Sequence, residues 1–91
     1  MTKYFVDFTD KAKEHIEQFK KAGNKFALKK IDVLLEELRN HPKTGTGKPE
    51  QLKGYPNRWS RRITDKHRLV YEIHDEVVVV LVLSAYGHYK D

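Results

Sequence analysis

The stretch Arg58 to Tyr71, RWSRRITDKHRLVY, decides how this chain folds, because its residues sort by parity into two strands. Successive side chains of a strand point to opposite faces. The odd positions are Trp59, Arg61 and Ile63, then Leu69, Tyr71 and Ile73, and all but Arg61 are apolar. The even positions, Ser60, Arg62, Thr64, Arg68, Val70, Glu72 and His74, are mostly polar. Both odd sets share one buried face only if the connection through Asp65-Lys66-His67 holds an odd number of residues. Arg62 and Arg68 then emerge together on the open face, on neighbouring strands about 5 to 8 Å apart. Two guanidinium groups that close repel unless an anion lies between them, and phosphate suits, because guanidinium donors pair with its oxygens. The alternative is that Glu72, also even, neutralises one arginine in a surface ion pair.

Working outward, Lys3 to Phe8 is aromatic and β-branched enough for a strand, and Thr9 or Asp10 caps a helix after it. Ala12, Ile16 and Phe19 recur at helical spacing until Gly23 ends that helix. Asn24 caps a second one, where Ala27, Leu28, Ile31, Leu34, Leu35 and Leu38 form a broad apolar stripe that stops before His41-Pro42. Residues 42–49 lack periodicity and form a loop. Glu50 to Lys53 is a short strand, turned by Gly54-Tyr55-Pro56-Asn57 into the arginine hairpin. The last run, Val77 to Ser84, is apolar on both faces and belongs inside the sheet, with something covering each side. The expected fold is α+β: a two-helix hairpin packed on one face of a twisted antiparallel β-sheet.

At 91 residues the chain, 1–91, is expected to be a single domain with one core. It has no cysteine, so neither disulfides nor a thiolate zinc site can brace it. The segment MTKYFVDFTD holds acidic residues and no long apolar run, so a cytoplasmic protein with no membrane association is expected. The formal charge is +5, and it is unevenly spread. Between Pro42 and Arg68 eight Lys or Arg face only Glu50 and Asp65, which leaves the rest of the chain slightly acidic. Such a basic segment favours a polyanionic partner such as nucleic acid. The loop KTGTGKP is not a nucleotide-binding glycine loop, since its spacing is wrong and Pro49 follows the lysine. The five histidines show no metal-ligand spacing, and His15 and His41 read as surface residues.

The runs GKPEQLKG (47–54) and RWSRRITDKHRLVYEI (58–73), with the terminal Gly87-His88-Tyr89, closely resemble YoeB toxins of the RelE superfamily. These are the toxin halves of bacterial toxin–antitoxin modules, and the resemblance covers nearly the whole chain. It implies a RelE-like fold and a metal-independent endoribonuclease, without a cofactor, that cuts mRNA in the A site of the bacterial ribosome. Carried over by position, Glu50 is the general base on an RNA 2′-hydroxyl. Arg62 and Arg68, with Lys53, stabilise the charged transition state. His88 protonates the leaving 5′-oxygen, and Tyr89 orients or stacks on the nucleotide. Lys48 is a candidate contact to RNA or rRNA, and Arg61 a further substrate-binding candidate that could instead reach a sheet edge or an acidic antitoxin. The resemblance also implies a cognate YefM/Phd-like antitoxin and a homodimer. It departs at Gly87, where the family usually has a bulky residue, and at Lys90-Asp91, which extend past the tyrosine. Two other functions stay open: a non-catalytic basic nucleic-acid-binding regulator, and a ParE-like toxin directed at DNA gyrase.

Overall fold

The computed structural model describes residues 3–87; His88 and Tyr89 lie outside the described residues. Five strands, β1 (Phe5–Phe8), β2 (Glu50–Gln51), β3 (Arg58–Arg62), β4 (Arg68–His74) and β5 (Val79–Ser84), form one sheet in the order β1-β5-β4-β3-β2. Two helices, α1 (Asp10–Lys21) and α2 (Lys25–Asn40), lie between β1 and β2 in the chain.

Local chemistry explains the junctions. The Thr9 side chain accepts the Ala12 N–H at the start of α1 and donates to the Leu83 carbonyl, so one hydroxyl caps a helix and fastens it to β5. The Asn24 side chain accepts the Ala27 N–H and starts α2, after Gly23 has turned the chain at φ +67. As the parity argument requires, Ile63, Leu69, Tyr71 and Ile73 are buried together with Val80 and Val82 of β5. Ala12, Phe19, Ala27, Ile31, Leu34 and Leu38 of the helices close that core from one side.

The sheet is mixed rather than wholly antiparallel. Strands β2 to β5 form the expected antiparallel meander, but β1 pairs parallel with β5, Phe5 opposite Val79 and Phe8 opposite Val82. An edge strand's direction leaves no trace in its own alternation, and a parallel pair only requires a long connection, which the two helices help provide. The double-sided apolar run also resolves. Val80 and Val82 are fully buried under the helices, whereas Val79, Leu81 and Leu83 are only half covered on the open face. Among the described residues no helix is long and apolar enough to cross a membrane.

Candidate active site on the open sheet face

Arg62 and Arg68 are direct cross-strand partners, so both project from the open face. The Arg62 N–H donates to the Gly47 carbonyl (2.6 Å) and the Arg68 N–H to the Gly87 carbonyl (3.1 Å). Both amides therefore point away from the partner strand, which makes this a non-hydrogen-bonded pair, the position where facing side chains come closest. The same two bonds dock the flanking segments. One holds the Gly47-Lys48-Pro49 approach to Glu50; the other holds Gly87, which precedes His88 in sequence.

The register adds Glu50. It lies opposite Ser60, which lies opposite Val70, so Glu50, Ser60 and the arginine pair share one face. The Arg68 Nε donates to the Ser60 hydroxyl at 3.2 Å, which orients its guanidinium towards β2. Among the described residues neither Arg62 nor Arg68 forms an ion pair. Glu72 does neutralise an arginine, but it is Arg58, at 2.6 Å, whose guanidinium also lies 4.2 Å from the centre of the Tyr55 ring.

Lys48 is exposed and sits at φ +51, a region uncommon for residues other than glycine, beside Arg62. Gly47 is required next to it, because at φ +83 an added Cβ would lie 2.8 Å from the Arg62 carbonyl oxygen. Lys53 is exposed in the turn after β2, towards the Arg58 end of β3, and so lies farther along the edge than Glu50.

Arg61 corrects the expectation of a substrate contact. It is fully buried on the helix side, and its five N–H donors are engaged inside the protein. Nε donates to the Tyr71 hydroxyl, Nη1 to Glu37 (2.7 Å) and the Thr46 carbonyl, and Nη2 to the carbonyls of His41 and Thr44. The Tyr71 hydroxyl donates onward to the Pro42 carbonyl. Arg61 thus ties the loop of residues 41–47 to the core directly behind Arg62.

Sequence reasoning also missed how the chain end is mounted. The Tyr86 ring packs on His67, Phe19 and His15, with centroids 4.3, 5.3 and 5.9 Å away. His15 is no ordinary surface residue: its Nδ1 accepts the Ala85 N–H, and His67 Nδ1 accepts the Gly87 N–H at 2.8 Å. Gly87 has φ +83, where a bulky residue would be strained, and the aromatic contact in this segment comes from Tyr86. An aromatic followed by glycine before the terminal histidine was the available signal.

These contacts give a pH dependence. Burial, then the neighbouring Lys11, pushes the His15 pKa below its ordinary 6.5. Hydrogen bonding and charge from Arg58 hold the Glu72 carboxyl below 4.5. Burial opposes ionisation of Glu37, but the hydrogen bonds from Thr46 and Arg61 together outweigh it, so this carboxyl is also held low. In all three cases the unfolded chain takes up its proton first as pH falls, so stability is complete above the ordinary values and is lost below them. Urea midpoints are expected to decline gently below pH 6.5 and more steeply below 4.5. Glu72→Gln should flatten the second limb and leave the first unchanged.

The sequence profile described as the YoeB-like toxin of bacterial type II toxin–antitoxin systems matches residues 8–89. The chain is 44% identical over 72 residues to Toxin YoeB of Synechocystis sp., covering 75% of this chain and 78% of that protein. The YoeB dimer from Staphylococcus aureus matches with a TM-score of 0.82 at 36% identity, covering 97% of this chain and 100% of that one. The YoeB–YefM complex from the same organism gives 0.78 at 37% identity, with the same coverage. A profile that spans almost the entire sequence, on a fold shared at this identity, places the chain in the family of YoeB-like toxins of bacterial type II toxin–antitoxin systems.

Proposed function

We propose that this toxin is a ribosome-dependent endoribonuclease that cleaves mRNA in the ribosomal A site and so inhibits translation. The observation that carries the reading is the facing, unneutralised Arg62–Arg68 pair, with Glu50 on the same face. A phosphodiester seated between the guanidinium groups relieves their repulsion, and its reacting 2′-hydroxyl falls on the side where Glu50 can take the proton. The hydroxyl oxygen attacks the adjacent phosphorus. Arg62 and Arg68, with Lys53 farther out, stabilise the added negative charge, an electrostatic contribution that is often the largest in an enzyme. His88 gives a proton to the departing 5′-oxygen, and Tyr89 orients the nucleotide. The products are a 2′,3′-cyclic phosphate and a 5′-hydroxyl.

The solved YoeB dimer and YoeB–YefM complex support a homodimer and an antitoxin of the YefM kind as partners, and the setting we propose is the cytoplasm. An apolar strip on the open face near β1, with Phe5 exposed and Val79 and Leu81 half covered, offers area for such a partner. A regulator that only binds nucleic acid, or a gyrase-directed toxin, has no use for a carboxylate beside the arginine pair.

The test is cleavage of a translated message on programmed ribosomes. Glu50→Ala and His88→Ala are expected to abolish product while both proteins stay folded by circular dichroism. Undiminished cutting by Glu50→Ala would remove its assignment as base.

A further inference from the structure

Beside Arg62, between α2 and the end of β3, lies a groove of about 450 Å³, lined by Phe26 and Lys30 of α2 and by Gly47, Lys48, Arg62, Ile63, Thr64 and Asp65. Three of its walls carry cations. Among the described residues Lys30, Lys48 and Arg62 make no ion pair, and neither does Asp65, the one carboxylate there. Phe26 is 70% exposed, on the side of α2 that also leaves Val33 exposed, while Ala27, Ile31, Leu34 and Leu38 are buried on the core side. It stands one turn from Lys30, so ring and ammonium share a helix face. Solvated cations around an uncovered aromatic ring form the pattern by which proteins hold single-stranded nucleic acid, with phosphates on the cations and a base on the ring.

We propose that this groove is a binding subsite for a nucleotide of the RNA strand next to the scissile phosphate, its base stacked on Phe26 and its phosphate held by Lys30 and Lys48. The assignment rests on the endoribonuclease reading to the extent that the strand continues from Arg62. Proximity favours RNA over an acidic peptide: Arg62 belongs both to the groove and to the arginine pair, so a strand seated between the arginines needs only to turn around the sheet edge at Arg62 to reach this surface. The Asp65 carboxylate can accept from the exocyclic amine of a base.

The probe is a labelled RNA octamer with every 2′-hydroxyl methylated, so that binding is read without cleavage, against a dinucleotide that spans the arginine pair alone. Fluorescence anisotropy is expected to show Phe26→Ala weakening the octamer about 10-fold, the scale of one lost base stack, with the dinucleotide unchanged. Phe26→Trp should restore the affinity. Lys30→Ala should reduce the slope of log affinity against log salt by about 0.7, as loss of one phosphate contact to a single strand does. Octamer affinity indifferent to Phe26→Ala and Lys30→Ala would overturn the subsite. So would a loss confined to an acidic peptide competitor, which would make the groove a protein-docking surface. Because the probe cannot be cut, failure of the Glu50 assignment would leave this result standing, and failure here would leave Glu50 untouched.

Discussion

Replacing Arg61 with methionine is expected to destabilise the fold by about 3 to 5 kcal/mol, the range for breaking a buried ion pair from one side. The side chain is fully buried, and it supplies donors to a carboxylate, a hydroxyl and three backbone carbonyls at once. Its removal strands Glu37, only 20% exposed, with the Thr46 contacts alone, and leaves carbonyls of the 41–47 loop facing an apolar atom. At roughly 4 to 8 °C of melting temperature per kcal/mol for a domain of this size, the drop is at least about 12 °C. Arg61→Lys keeps the charge but has three donors instead of five, so it should melt between the two. The double variant Glu37→Met/Arg61→Met removes both partners and should be more stable than Arg61→Met, because no uncompensated carboxylate remains. Circular dichroism melts check all three. Arg61→Met melting within a degree or two of the parent would show that the buried network contributes nothing.

This network also marks where the sequence stops being readable. Parity placed Arg61 on the apolar face, which is correct, but a buried arginine is explicable only through its acceptors. Three of those are carbonyls of a loop without periodicity, up to 20 residues away, and the carboxylate of Glu37 lies 24 residues away. Backbone acceptors have no residue identity, so no pattern of side chains announces them. The neighbouring Arg62 and Arg68 were legible for the opposite reason. Their orientation depends on strand alternation and an odd-length connection, both of which are local. Glu50 is an intermediate case. Its strand was expected, yet alternation alone does not assign its face; that takes the pairing of Glu50 with Ser60. The groove beside Arg62 was out of reach, since it joins a helix face to a loop and a strand end far apart in sequence. The parallel direction of β1 and the stacking of Tyr86 on His67 likewise arise from tertiary approach.

The second large effect separates catalysis from stability at a single position. Arg62→Gln is expected to lower cleavage by about 100-fold or more, as loss of one donor that stabilises transition-state charge typically does. The same substitution should raise stability slightly, by about 0.2 to 1 kcal/mol, because like charges directly opposite on adjacent strands destabilise a sheet. A residue kept for packing could not give this pair of results. Arg68→Gln should behave in the same sense in activity but gain less stability, since Arg68 also donates to the buried Ser60 hydroxyl. Inorganic phosphate supplies an internal control. If an anion belongs between the guanidinium groups, millimolar phosphate should raise the parent's melting temperature by binding the folded state alone, and Arg62→Gln should lose most of that gain. Cleavage on programmed ribosomes and melts with and without phosphate read both arms. An Arg62→Gln protein that is both inactive and destabilised would place the arginine in the scaffold, and the phosphodiester would need another seat.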